Sequence, residues 1–184
     1  MEDNSVVEET FDIFLSHNWG LDSLDRDNHA RVDRLKEALQ NVDVITWFDA
    51  EQLHGHISQG MADGIDQSAK VAIFITERYI DKVAQKYGLE DNCRQEYDYS
   101  VRRKGIHNLI PIVMEPSCKD LRNWHGSLGA TLANQLYIDY SEDDMLENVV
   151  DNILTILNKA KAEKNVVLEL ENGTYEGMYE MRMP

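Results

Sequence analysis

At 184 residues the chain is long enough for one domain with its own core and a small appendage. Its formal net charge of −16 opposes general affinity for nucleic-acid phosphates and for anionic lipid, so neither nucleic acid nor membrane is an expected partner. Cys93 and Cys118, the only two cysteines, show no CxxC spacing, which argues against a zinc ribbon or a secreted disulfide framework and for a reduced, cytoplasmic chain.

Residues 1–10 carry Glu2, Asp3, Glu8 and Glu9 with no basic residue or apolar run, so they read as an acidic tail and not as a signal or transit peptide. No later segment approaches the roughly 18 consecutive apolar residues that a membrane helix needs. Phe11 to Leu15 is a buried strand running into the polar turn Ser16-His17-Asn18-Trp19-Gly20. An early strand in an alternating β/α chain becomes central, and ligands of such sheets bind outside the carboxyl ends of the strands, where the strand order reverses. Ser16 to Gly20 should therefore line the site.

From Asn28 to Gln40, Val32, Leu35 and Leu39 fall at helical spacing, with Asp25 or Asp27 as N-cap. Val42 to Phe48 is β-branched and aromatic, the second strand, and delivers Asp49 to the same surface as Ser16. Ile57, Met61 and Ile65 share one helix face, in a helix that Gly60 and Gly64 weaken by roughly 1 kcal/mol each relative to alanine. Val71 to Ile75 is an uninterrupted apolar run, the mark of a parallel strand buried on both faces. Tyr79, Val83 and Tyr87 then repeat at four-residue spacing up to Gly88.

Asn92 and Gln95 fit a capping box that starts a helix at Cys93. Glu96 then stands near the end of the first turn, at the edge of an inward stripe of Cys93, Tyr97 and Ser100 or Val101. Arg102-Arg103-Lys104, the one dense basic run, reads as favourable charge in that helix's last turn. Leu109 to Met114 is the fourth strand, where Pro111 points to an edge, a bulge or a strand start. Gln135 to Tyr140 is the fifth, and Leu146, Val149, Val150, Ile153 and Leu157 make an amphipathic last helix that ends near Lys161. The expected fold is α/β, a flavodoxin-like doubly wound sheet of five parallel strands in order 2-1-3-4-5.

Beyond Lys161, Val166 to Leu170 and Thr174 to Tyr179 flank Asn172-Gly173, a short hairpin signal. The run from Gly173 to Tyr179 resembles the opening of a MORN repeat; one such unit cannot bury its own face, which implies a longer repeat protein.

Several separated motifs, in register, resemble a Toll/interleukin receptor-type (TIR) domain from Phe11 to Asn158. They are Asp12-Ile13-Phe14-Leu15-Ser16-His17, the run Trp47 to Ile57, Ile65-Asp66-Gln67-Ser68, and Cys93-Arg94-Gln95-Glu96 before Leu109-Ile110-Pro111-Ile112. The resemblance implies a domain over residues 11–161, an acidic tail before it and a β tail over 162–184. It is nearest to the TIR enzymes that cleave NAD+, in which a glutamate on the helix before the fourth strand is catalytic; Glu96 occupies that place. Ser16, His17, Trp19, Trp47 and Asp49 are the implied substrate contacts, with no metal and no cofactor besides NAD+ as substrate. Two departures stand out: Asn18, followed by Trp19, replaces an arginine common after the first strand, and Asn92 replaces a tryptophan four residues before the glutamate. The loop Asp49 to His56 is the implied surface for homotypic self-association. The alternative is a non-catalytic scaffold acting through TIR–TIR contact.

One glutamate suffices chemically. Cleaving the nicotinamide–ribose bond builds positive charge on the sugar, as in other glycosyl transfers, but nicotinamide leaves as a neutral base and needs no acid. A single carboxylate against the ribose stabilises that charge. Each residue also has a plainer reading: Glu96 as a solvated helix acid, Ser16 and His17 as turn residues that cap a helix, Trp47 as a core aromatic. His54 and His56 lack a third ligand and read as a polar loop, not a metal site. The acids of a phosphoacceptor, a phosphate-cradling glycine loop and a GxSxG elbow are all missing from their places.

Overall fold

Strand β1, Phe11–Ser16, is buried from Ile13 onward and has parallel partners on both sides. One is β2, Thr46–Trp47; the other is β3, Ser68–Ile75, which in turn pairs with β4, Leu109–Val113, and β4 with β5, Ile138–Asp139. The sheet has five strands in the order β2-β1-β3-β4-β5, as the sequence predicts. The computed structural model describes residues 10–48, 57–88 and 91–159. The chain forms two compact units, Met1–Val150 and Asp151–Pro184, and the whole sheet lies in the first. The expected hairpin and MORN-like stretch, and the loop Asp49 to His56, lie outside the described residues.

Phe14, Val71, Ile73, Ile75, Leu109 and Val113 form one cluster with Met61 and Ile65 of helix α2, Ile57–Asp66, and with Tyr79, Ile80 and Val83 of α3, Glu77–Val83. Cys93 and Tyr97 of α4, Asn92–Lys104, and Leu128 and Leu132 of α5, Gly126–Leu132, complete it. The alternate strand residues Ile13, Leu15, Ala72, Phe74, Ile110 and Ile112 point to the opposite face and are buried as well. Both faces being covered is why the β1, β3 and β4 runs read as continuous apolar stretches. Helix α1, Asn28–Gln40, buries Val32, Leu35 and Leu39; its N-cap is Asp27, which accepts from the Ala30 N–H, whereas Asp25 sits at φ 58 in the preceding turn. Residues 146–150 are helical in the first unit and 151–159 in the second. Among the described residues no helix is long and apolar enough to cross a membrane.

Local chemistry shortens several elements. The second strand does not reach back to Val42, because the α1 carbonyls of Leu39 and Gln40 capture the N–H groups of Val42, Asp43 and Val44, with Asp43 at φ 61. The fifth strand starts late for the same reason: Gln135 N–H closes a turn on Leu132 O. The helix through Tyr79 stops at Val83 instead of reaching Tyr87, since Gln85 at φ 70 and Gly88 at φ 102 take the backbone out of helical space. Pro111 is inside the sheet order, yet β4 pairs with β5 only at Ile112 and Val113, so its flank toward β5 carries no ladder.

Charged groups finish the carboxyl edge of the sheet. Arg31 donates through Nη1 to Met114 O (2.8 Å) and through Nη2 to Tyr140 O (2.6 Å), and Arg26 donates to Ser141 O (2.7 Å) and Met114 O (2.9 Å). Asp22 accepts from Arg26 Nε at 2.8 Å and Arg31 Nη1 at 3.4 Å. Buried Glu115 accepts from the N–H of Glu77 (3.2 Å), at the start of α3, and from Ser23. The segment from β1 to α1 is thereby fastened across the ends of β3, β4 and β5.

The two glycines of α2 differ. A Cβ on Gly64 would lie 2.5 Å from Trp47 Cε2 and Nε1, whereas one on Gly60 meets nothing within 4 Å. Gly64→Ala should destabilise the protein by about 1–3 kcal/mol through overpacking, and Gly60→Ala should stabilise it by up to about 1 kcal/mol. Chemical denaturation checks both; equal midpoints for the two variants would rule out close helix–strand contact at Gly64.

Candidate active site

The register Ser16↔Ile73 sets the end of β1 beside β3 at the place where the strand order reverses. Ser16 is fully buried there, and its Oγ donates to Glu96 Oε2 at 2.7 Å. The Tyr79 hydroxyl lies 2.8 Å from the same Oγ. A serine hydroxyl has one hydrogen. With that hydrogen on Glu96, Tyr79 must be the donor to Ser16. Burial, and then the neighbouring Cys93 and Glu96, push the Tyr79 phenol well above its ordinary range, which keeps it protonated.

Glu96 faces inward because of where α4 begins. The N-cap is Asp91, whose carboxylate accepts from the Cys93 N–H at 2.9 Å; the expected cap, Asn92, is already helical. Glu96 therefore falls beyond the first turn, and Cys93, Glu96, Tyr97 and Ser100 are the buried stripe. It is a member of that stripe, not its edge, and only 7 % exposed. The Cys93 thiol donates to His17 O at 3.5 Å, tying α4 to the residue after β1, and burial, followed by the Glu96 charge, pushes the thiol far up. Lys82 holds the cap from outside, 3.0 Å from Asp91 Oδ2.

The turn after β1 is built from side chains. Asn18, fully buried, accepts from Thr76 Oγ1 at 2.5 Å, and Asn28 Nδ2 donates to Asn18 O at 2.8 Å. His17 Nδ1 donates to Leu15 O at 3.1 Å, so its Nε2 is the acceptor for His29 Nδ1 at 2.8 Å. Phe48 stacks on both imidazoles, 5.2 Å from His17 and 5.0 Å from His29, and Trp19 stacks on His29 at 3.9 Å. Trp19 is 53 % exposed.

Of the residues expected from the sequence, Ser16 and Glu96 meet directly, His17 adjoins them through its backbone, and Trp19 stands at the surface of the same turn. Trp47 is core: Phe14 stacks on it at 4.3 Å and an 11° interplanar angle. Asp49, His54 and His56 are outside the described residues. Among the described residues no group of three or more His, Cys, Asp or Glu could hold a metal ion. Sequence reasoning missed Tyr79, whose polar tip on an inward stripe required a partner, and His29, which no spacing marks. What the constellation offers is a fixed, buried carboxylate with a hydroxyl on one oxygen, at the position where such sheets take ligands.

A family model described as a TIR domain matches residues 13–154. The fold is similar to the crystal structure of the TIR domain of the Toll-related receptor TRR-2 from the lower metazoan Hydra magnipapillata, with a TM-score of 0.55 and 14 % identity over 81 % of this chain and 99 % of that one. No curated protein matches.

Burial lowers the His17 pKa from 6.5 to about 4, with His29 adding to the effect and the Leu15 carbonyl and Asp33 opposing it. The unfolded chain then binds the extra proton between those values, so His17 withdraws stability as pH falls from about 6.5 to about 4, amounting to about 3 kcal/mol in all. His17→Gln should flatten denaturation free energy against pH in that window. An unchanged slope would mean that His17 takes up its proton alike in the folded and unfolded chain.

Proposed function

The chain belongs to the TIR-domain family, and from that premise we propose that it cleaves the nicotinamide–ribose bond of NAD+ with Glu96 as the catalytic carboxylate. The observation that supports this reading is the Ser16–Glu96 contact of 2.7 Å: the acid is turned inward at the end of β1 and held, where a helix-surface acid would be solvated. In the reaction the C1′–N bond breaks with its electron pair passing to nicotinamide, which departs neutral. The oxocarbenium-like sugar is stabilised by the Glu96 charge. Water adds at C1′ and loses a proton, giving ADP-ribose, or an internal nucleophile closes a cyclic isomer. Ser16 orients the carboxylate, and Trp19, open to solvent on the turn after β1, offers a face for a base. His17, Trp47 and Asp49 are assigned to substrate in the same reading, with Trp47 acting from within the core as a support.

In a cytoplasmic signalling role the activity would be switched by self-association through the loop Asp49 to His56. The low exposure of Glu96 in the single chain supports control of this kind, since substrate must gain access to it. The same burial, together with the likeness to a receptor TIR domain, favours a second reading, a scaffold working by homotypic contact alone.

Glu96→Gln keeps shape and removes charge, so nicotinamide release should fall by about 10²-fold or more, with NAD+ binding less affected. Release at the wild-type rate, or none from concentrated wild-type protein, would leave the scaffold reading. Specific activity should also climb with protein concentration as light scattering reports assembly; constant activity over a wide dilution of a monomer would remove self-association from the scheme.

A further inference from the structure

Tyr79 has no place in the chemistry just described, yet it is fully buried and its hydroxyl ends 2.8 Å from the serine that holds the catalytic acid. We propose that Tyr79 is a positioning residue, acting on Glu96 only through Ser16. This rests on the reading of Glu96 as the catalytic carboxylate.

A serine hydroxyl rotates freely about its Cβ–O bond and carries one hydrogen and two lone pairs. Alone, it selects among acceptors. Once a second donor occupies one lone pair, the hydroxyl hydrogen is left for another acceptor, and here that acceptor is Glu96 Oε2 at 2.7 Å. Donation into Ser16 also polarises its O–H and strengthens the bond it gives, by about a tenth to a third. The order Tyr79, Ser16, Glu96 cannot run the other way, because a phenol held well above its ordinary pKa range stays protonated and a carboxylate only accepts.

The donor is itself fixed. Tyr79 N–H donates to Thr76 Oγ1 at 3.0 Å, and Thr76 in turn donates to Asn18 Oδ1 at 2.5 Å, which locks the first turn of α3 to the turn after β1. Tyr79 comes from the element after β3, Ser16 from β1 and Glu96 from α4. Three elements thus meet at one serine oxygen, and the carboxylate is set before any substrate arrives. Such preorganisation is what makes a fixed charge effective in a transition state.

The experiment compares wild type, Ser16→Ala, Tyr79→Phe and the double variant, each confirmed folded by circular dichroism. Two readouts are followed: nicotinamide release from NAD+, and the side-chain carboxyl carbon resonance of Glu96 in 13C-glutamate-labelled protein, assigned by its loss in Glu96→Gln. Tyr79→Phe should lower kcat about three- to tenfold with KM within about twofold, and Ser16→Ala should lower it about tenfold or more. Adding Tyr79→Phe to Ser16→Ala should change neither kcat nor the Glu96 resonance further, although Tyr79→Phe alone moves both. A merely structural tyrosine would lower both backgrounds equally. Additive losses, or a Glu96 resonance indifferent to Tyr79→Phe, would overturn the proposal. Should wild type release no nicotinamide while the resonance shows the non-additive pattern, the enzymatic reading falls and Tyr79's positioning of the carboxylate stands.

Discussion

The buried guanidinium of Arg31 is the constraint from which the geometry of the carboxyl edge follows. A cation 1 % exposed is tolerable only when fully paired, and this one has Asp22, Asp143 and the carbonyls of Met114 and Tyr140. Losing one partner of such a buried pair typically costs about 3–5 kcal/mol, more than one core methylene or one surface ion pair contributes. The carbonyls belong to the ends of β4 and β5, where the ladder has run out of partners. Arg31 and Arg26 thus satisfy the sheet's orphaned acceptors and, through Asp22, bind the β1–α1 segment to them. At the end of β1, clear of this network, Ser16, Tyr79 and Glu96 meet.

That same segment sets the polar floor. Asn18 and His17 are short-range consequences of a strand ending under a fastened loop: their backbone and side chains must find partners inside the protein, and they take Thr76, Asn28, His29 and Cys93. Those partners lie on three elements, Asn28 and His29 in α1, Thr76 at the N-cap of α3 and Cys93 in α4, so satisfying the loop also fixes the starts of α1, α3 and α4 relative to β1. The position of Glu96 is a result of this polar bookkeeping as much as of the apolar stripe beneath it.

The sheet order was legible because Phe11 to Leu15, Val71 to Ile75 and Leu109 to Met114 are apolar on both faces, and only a parallel sheet with helices on both sides hides such runs. The ends of elements were not legible. Val42 and Gln135 look like strand residues, and each was claimed instead by a helix-closing turn, whose hydrogen bonds depend on backbone angles such as φ 61 at Asp43. Glu96 was found through its neighbours in sequence, but its inward direction was not, because Asp91 and Asn92 are both good caps and a shift of one residue rotates a helix by about 100°. Trp47, readable as core or as platform, is core, since Gly64 leaves room for the indole against α2. Nothing in the spacing of Arg26 and Arg31 announces the carbonyls they reach.

Floor and rim divide the work differently. Ser16, Tyr79 and Glu96 are nearly sealed, whereas Trp19 is half open to solvent. A sealed carboxylate keeps its geometry, and any ligand that is to touch it must first have it uncovered. Whatever uncovers it must bind the uncovered form better than the covered one, because a partner with equal affinity for both shifts nothing.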